Sequence, residues 1–319
     1  MTPQQKQIQL QNLINEKILS FVTRDYVLLD CPYHENIGDS LIWGGEINFL
    51  KQSGFRCLYQ TSSNSFYYRK LSSSIPIFLH GGGNFGDLWK EHHNFRKRII
   101  ELYPSNPITI LPQSVCYESN DNLKEDEVFF AKHFNVVMCA RDINSFEFMK
   151  LHFPHNKVLL VPDMAFFVDF KKFEAKQNLS TGRTLFARRI DKELKDNSWP
   201  EQIPQTAEVH DWPTFEFKAK KYQRAEYIWG WLNFFANIKG IKPVNRLIDF
   251  QRNHFYRKEY LKDCIEFLSK YDTIYSTRLH IMIAAAMLGK KVYVIDNTYG
   301  KNISLYNTWL KDVDNVFPL

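Results

Sequence analysis

Between Tyr26 and Ile295 the apolar positions switch repeatedly between short unbroken runs and stretches with helical spacing. Ahead of them, Gln4–Phe21 carries Ile8, Leu10, Leu13, Ile14 and Ile18, a spacing that predicts an amphipathic helix. Tyr26-Val27-Leu28-Leu29-Asp30 then predicts a buried strand, His34–Asp39 a polar turn, and Ser40–Gln52 a helix closed by Gly54. Further strands are predicted at Phe55–Gln60, Ile75–His80, Ile108–Pro112, Val136–Arg141 and Val158–Val161, separated by helices at Asn64–Leu71, Leu88–Tyr103, Leu123–Phe134 and Ile143–His152. Asp169–Gly182 is polar and lysine-rich without an apolar period. After it, strand Thr184–Ala187, helix Tyr260–Lys270, strand Thr273–Ser276, helix Leu279–Leu288 and strand Lys291–Ile295 form a second α/β unit, while residues 199–260 show no clear phase.

Short apolar strands alternating with amphipathic helices predict parallel, doubly wound sheets. The expected fold class is therefore α/β, with two Rossmann-like domains facing across a cleft. The expected division is an N-terminal domain at 1–170, a linker at 171–182, and a C-terminal domain at 183–300. That domain carries a basic, aromatic insertion at about 199–260, and a tail at 301–319 is expected to pack back on the first domain. In open α/β sheets ligands sit beyond the carboxyl ends of the strands, so functional residues are expected in the strand-to-helix loops.

Composition narrows this picture. The chain has 319 residues, with 44% hydrophobic and 24% charged, enough apolar surface for folded cores and too little charge for a disordered chain. Its longest apolar stretch, Ile281–Leu288, is far short of a bilayer span, and the mean hydropathy is -0.38. The first residues lack the apolar core and cleavage site of a secretory signal, so a cytoplasmic location is expected. Cys31, Cys57, Cys116, Cys139 and Cys264 are scattered and odd in number, which suits reduced thiols. A net charge of +6 favours an anionic ligand and is too small to make nucleic acid an expected partner.

Four loops carry candidate chemistry. In Asn36-Ile37-Gly38-Asp39-Ser40, Asp39 is a candidate general base, the alternative being that Asp39 or Ser40 only caps the helix. His80-Gly81-Gly82-Gly83-Asn84-Phe85-Gly86-Asp87 follows a strand, and its glycines let backbone N–H groups approach a ligand while Asn84 and Asp87 bond hydroxyls; the alternative is a tight turn. Arg188-Arg189-Ile190-Asp191-Lys192-Glu193 ends a strand with two guanidinium groups suited to a carboxylate or phosphate, or else is a solvated run with internal ion pairs. Arg278-Leu279-His280 opens the apolar helix that follows, where cations beside free N–H donors are unfavourable unless an anion neutralises them. Gln113, after Pro112, and Asp163, after Pro162, end two further strands and are expected to line the same cleft.

Together, Asn36-Ile37-Gly38-Asp39, His80-Gly81-Gly82-Gly83-Asn84, Leu111-Pro112-Gln113-Ser114, Ala140-Arg141-Asp142, Val161-Pro162-Asp163 and Thr277-Arg278-Leu279-His280 resemble, in order and placement, the polysaccharide pyruvyl transferase family. The resemblance implies an architecture like that of the GT-B glycosyltransferases. It also implies transfer of pyruvate from phosphoenolpyruvate to two sugar hydroxyls, giving a cyclic ketal and phosphate without cofactor or metal. The implied phosphoenolpyruvate site is Arg188 or Arg189 with Arg278, Leu279 and His280, and the implied acceptor, a sugar on a polysaccharide or polyprenyl-linked precursor, faces Asn36, Asp39, His80, Gly82, Gly83, Asn84, Asp87, Gln113 and Asp163. His280 would supply the proton to the enol carbon and Asp39, or failing it Asp87, would take the proton of the attacking hydroxyl, with Arg278 stabilising phosphate.

Two other readings stay open: a GT-B glycosyltransferase using a nucleotide sugar, and a non-catalytic scaffold of a polysaccharide assembly complex. In residues 217–258, ten Lys or Arg face only Glu226 and Asp249, a net charge of +8, and Tyr227-Ile228-Trp229-Gly230-Trp231 interleaves aromatics with them. Such a segment is expected either to dock peripherally on the anionic inner face of a membrane or to bury its rings in the second domain.

Overall fold

The computed structural model describes residues 1–170, 172, 181–195, 199–216, 227, 231 and 242–319. The fold is mixed α/β with two parallel sheets. The first holds β1 (Tyr26–Leu29), β2 (Cys57–Thr61), β3 (Ile77–Leu79), β4 (Gly82–Gly86), β5 (Ile108–Cys116), β6 (Val136–Ala140) and β7 (Lys157–Leu160). Its order is β2-β1-β3-β5-β6-β7, with β4 paired to β5 off that path. The second holds β8 (Thr184–Ala187), β9 (Glu208–His210), β10 (Thr273–Ser276), β11 (Lys291–Val294) and β12 (Val316–Pro318), in the order β12-β11-β10-β8-β9.

Both orders reverse direction once, between β1 and β3 in the first sheet and between β8 and β10 in the second. Such reversals leave a crevice at the carboxyl ends of the two strands, because the connecting helices depart to opposite sides. The loops after β1, β3, β8 and β10 are the ones singled out by sequence.

Helices α1 (Pro3–Ile18), α2 (Ile37–Lys51), α3 (Lys90–Leu102), α4 (Asn120–Ala131) and α5 (Ile143–His152) cover the first sheet. In the second half, α6 (Pro213–Glu216), α7 (Lys242–Gln251), a π-helical turn at Arg252–Tyr256, α8 (Arg257–Leu268), α9 (Leu279–Met287) and α10 (Lys301–Leu305) follow. Every residue of α9 is buried, as its unbroken apolar sequence requires. Its surroundings include Leu10 of α1, Ile37 and Leu41 of α2, and Phe166 of a 3-10 turn at Met164–Phe167, so one apolar core runs beneath the second sheet and the first helices.

Several expectations are corrected. No helix forms over Asn64–Leu71: the Tyr67 amide donates to the Tyr59 hydroxyl and the Arg69 amide to the Tyr103 hydroxyl, so side chains take the backbone donors a helix would use. The glycine run contributes strand β4, and β5 continues past Pro112 to Cys116, its register shifting between Ile110 and Gln113. Val316–Pro318 adds an edge strand to the second sheet that no pattern announced. Of the linker expected at 171–182, residues 171 and 173–180 lie outside the described residues. So does most of 217–241, where Tyr227 and Trp231 are described and exposed. Among the described residues no helix is long and apolar enough to cross a membrane.

Candidate active site

The two reversals open into one cavity of about 800 Å³, lined by residues of both halves, among them Asn36, Asp39, Gly83, Arg141, Arg189, Arg278, Leu279, His280 and Lys301. At the end of β1 the chain turns through Asp30, a fully buried non-glycine residue at φ 64. Its carboxylate lies 2.8 Å from His92 Nδ1 and accepts from Arg96, so a left-handed backbone is held by two cation-capable partners beneath the cavity floor. Burial pulls the His92 imidazole down, but the hydrogen bond and charge of Asp30 outweigh it and raise its pKa.

Asn36, not Asp39, caps α2: its Oδ1 accepts from the Gly38 amide at 3.0 Å. Its Nδ2 donates to Asp39 Oδ2 at 2.9 Å, leaving the Asp39 carboxylate on the cavity wall with His34 Nε2 at 3.6 Å. The capping alternative for Asp39 is thereby removed. Burial acts to raise Asp39, yet the charges of His34 and His280, with His80 and His92, hold it below the ordinary carboxylate range. A Cβ on Gly38 would sit 2.7 Å from His280 Nδ1, so glycine is what lets the imidazole of the second half reach the start of α2.

His280 Nε2 lies 3.4 Å from Asp163 Oδ2 and 3.4 Å from Arg141 Nη1. Arg141 also donates to Asp163 at 2.8 Å and to Ser114 Oγ at 2.8 Å. Burial opposes ionisation of Asp163, but His280 and Arg141 hold its carboxyl well below the usual range. Asp163 thus supports the two residues that face the cavity and is not itself on its wall.

The arginine loop does both things the sequence allowed. Arg189 lines the cavity and is internally paired, through Nε to Asp191 at 2.7 Å and through Nη1 to Glu193 at 2.7 Å. Arg188 is not among the lining residues. Arg278 donates to Asp211 through Nε at 2.7 Å and Nη2 at 2.5 Å, and to Asp191 through Nη1 at 2.7 Å. The expectation that this cation awaits an external anion is therefore corrected, since Asp211 and Asp191 neutralise it. Each guanidinium still has N–H donors left, because a carboxylate takes one hydrogen per nitrogen and a guanidinium carries five.

Lys301 is a lining residue that sequence reasoning missed. It follows Gly300, which has φ 81, and points its ammonium at Glu193 and, at 2.8 Å, at the Tyr299 hydroxyl. Burial pushes it down to about 8, only partly offset by Glu193. A Cβ on Gly83 would lie 3.0 Å from Arg141 Nη2 and 3.4 Å from Lys301 Nζ, so the glycine run makes room for the cations rather than cradling a ligand with its amides alone.

Other predicted acceptor residues serve the frame. His80 is buried with Nδ1 2.8 Å from Glu46, whose other oxygen accepts from the Gly81 amide. Gln113 is buried and donates to the His80 carbonyl at 2.7 Å. Asp87 accepts from the Glu118 and Ser119 amides and from Asn122, fixing the start of α4. Gly82 stands at φ 131, a conformation that favours glycine, and like these three it is not on the cavity wall. Asn84 is on it, and its Oδ1 and carbonyl accept from Arg96. Among the described residues, no group of three or more His, Cys, Asp or Glu side chains is arranged to hold a metal ion.

Fold and site define an α/β protein with the Asp39 carboxylate, three imidazoles and four paired cations around one crevice. Residues 36–299 match the family described as polysaccharide pyruvyl transferase, and the chain belongs to that family. Membership makes it a transferase with a sugar acceptor. It is similar to EpsO of Bacillus subtilis, named there as a candidate pyruvyl transferase, with 31% identity over 293 residues, 91% of this chain and 86% of that one. It is 27% identical over 302 residues to pyruvyl transferase 1 of Schizosaccharomyces pombe, covering 89% of this chain and 69% of that one. A crystal structure of an uncharacterized Klebsiella pneumoniae protein shares the fold at TM-score 0.65 and 18% identity, covering 97% of this chain and 98% of that one.

Proposed function

We propose that the protein moves the pyruvyl carbons of phosphoenolpyruvate onto two hydroxyls of a sugar in exopolysaccharide synthesis, forming a cyclic ketal and releasing phosphate. What carries this reading is that a single cavity holds Arg141, Arg189, Arg278 and Lys301 beside His280 and Asp39. Phosphoenolpyruvate presents a carboxylate and a phosphate a few bonds apart, which requires several fixed donors in one place. Carboxylates of the chain hold these cations in position, so the remaining N–H donors of Arg189, Arg278 and Arg141 complete their hydrogen bonding on the ligand.

In the first step an acceptor hydroxyl bonds to C2 and gives its proton to Asp39, while His280 delivers a proton to the CH2 carbon. Asp39 suits the base because its neighbours keep it ionised, and His280 suits the acid because Asp163 and Arg141 hold its ring from behind. In the second step the other hydroxyl bonds to C2 as the bond to phosphate breaks, and its proton leaves with phosphate. The cations take up the charge of the leaving group. Two sheets sharing one crevice support, as part of the same reading, a two-domain arrangement of the GT-B kind.

The test is incubation with phosphoenolpyruvate and candidate glycosides, following phosphate release and product mass. Asp39→Asn and His280→Ala are each expected to lower turnover by about 10²–10⁴, with the helix start intact in the first because Asn36 caps it. Wild-type turnover in either variant, or sugar transfer from a nucleotide sugar without phosphoenolpyruvate, would refute the proposal.

A further inference from the structure

A surface helix ordinarily turns its apolar stripe to the core and its polar residues to water. Helix α7 and the π-helical turn after it do the reverse. Asn245, Asp249 and Asn253 are spaced four apart and turn inward onto the first half of the chain. Asn245 donates to the Ser65 carbonyl at 3.1 Å, Asp249 accepts from the Thr61 hydroxyl at 2.8 Å and the Tyr33 hydroxyl at 2.9 Å, and Asn253 accepts from Gln60. Leu247 and Phe250, three apart, are left on the outer side at 55% and 63% exposure. Rotating the helix to bury them would break the inward bonds and strand Asp249, so the apolar side is held outward by the polar one.

This outer side continues across the open edge of β2. Leu58 of β2, 42% exposed, and Phe250 stand around one open concavity with Lys51 from the end of α2, Arg246, His254 and, less exposed, Arg69 and Arg257. Among the described residues none of these lysine and arginine side chains forms an ion pair. Asp249, the one carboxyl on the wall, is taken by its inward bonds. Exposed apolar side chains set among unpaired cations are the two components of a peripheral membrane contact: the apolar groups enter the acyl boundary, and the cations meet lipid phosphates. Tyr33 lines the cleft as well as holding Asp249, so the outward helix abuts the cleft wall.

We propose that the outer side of α7 and the edge of β2 dock on a bilayer that contains anionic phospholipids. A second copy of the chain is the poorer occupant, since a two-fold contact would set this group of cations against its own copy. A nucleic acid would answer the cations but leave Leu247, Phe250 and Leu58 in water. The proposal stands apart from the chemistry proposed for the cleft.

The test is co-sedimentation of the full chain with vesicles of phosphatidylcholine alone or with added phosphatidylglycerol. Binding is expected only where phosphatidylglycerol is present, and is expected to fall as salt is raised. Leu247→Ser combined with Phe250→Ser should weaken it about tenfold or more, and Arg246→Gln about fivefold. All three side chains are exposed, so thermal unfolding of these variants should match wild type. Leu58→Ser, on a separate element, reads the apolar contact independently and should also weaken binding. No binding to phosphatidylglycerol vesicles at low salt, or equal binding by wild type and the variants, overturns the proposal. Self-association in sedimentation velocity that the Leu247 and Phe250 substitutions abolish also overturns it and gives the face to a second copy. Vesicle binding is read without turnover, so its outcome is separate from that of the transfer assay.

Discussion

In the cleft, each arginine and lysine on the wall has a carboxylate of the chain as its partner; along the β2 edge, Lys51, Arg69, Arg246 and Arg257 have none among the described residues. The first arrangement fixes charge. Asp163, Asp191, Glu193 and Asp211 lock the long side chains of Arg141, Arg189, Arg278 and Lys301 into defined positions, as chemistry at a reacting carbon demands. The second leaves charge available, which favours capture of an anion but imposes little geometry. Catalysis and recruitment thus call for opposite treatments of the same residue types, and the contrast can be broken from either side.

The largest effect is expected from breaking a cleft pair. Arg141→Met leaves the buried Asp163 carboxylate with only His280 and the Ala165 amide beside it and should cost about 2–4 kcal/mol of stability in urea unfolding, whereas Arg246→Gln along the β2 edge should stay within about 0.5 kcal/mol. Similar losses in the two variants would erase the distinction.

A smaller effect separates Lys301 from the arginines around it. Burial holds its pKa at about 8, and the protonated form is the one that attracts an anion. Affinity for phosphoenolpyruvate should therefore be full below that pH and fall as pH rises through it, approaching about tenfold per pH unit, the limit for one linked proton. Lys301→Met should bind weakly at every pH and lose this dependence, which a titration series between pH 6.5 and 9.5, on the order of the window set by that pKa, would read out.

The smallest concerns Asp249. Burial raises its carboxyl from 3.8 to about 6, so the folded state holds this proton more tightly than the unfolded chain does. Its contribution to stability is present at low pH and is lost as pH rises between these values. Asp249→Asn, which keeps an acceptor for Thr61 and Tyr33, should raise stability at pH 7 by about 1–3 kcal/mol and change it little at pH 4, read as a melting temperature that rises at the higher pH alone.

How much of this was legible depended on whether a residue's role is local. Strands β8 and β10 and helix α5 are read to the residue, because a short apolar run between breakers, or a capped helical period, is a property of neighbours in sequence. The candidate site was legible in Asp39, Arg189, Arg278 and His280, which sit at the predicted strand ends and do line the cleft. Lys301 was not, since nothing around Tyr299-Gly300-Lys301 distinguishes it from a surface lysine, and it lies just beyond the span that matches the family. Asp211 was missed for a related reason: its meaning comes from Arg278, which is remote in sequence and meets it only through the pairing of β10 with β8 and of β8 with β9. Helix Asn64–Leu71 failed in the opposite sense, through tyrosine hydroxyls on β2 and after α3 that compete for its amides.

The apolar core shared by α9 with α1, α2 and the turn at Met164–Phe167 bears on how substrates enter. Swinging one sheet away from the other would strip partners from Leu10, Ile37, Leu41 and Phe166, each at 1% exposure or less, at about 1.5–3 kcal/mol per side chain. A wide hinge motion is thus disfavoured by the same contacts that hold the crevice together. Entry and exit fall to the side chains and loops at the rim, such as Trp89, over whose ring the Lys192 ammonium stands 4.2 Å away. The width of the crevice is then a fixed property of the packed core, and the rate at which products depart is set by the rim.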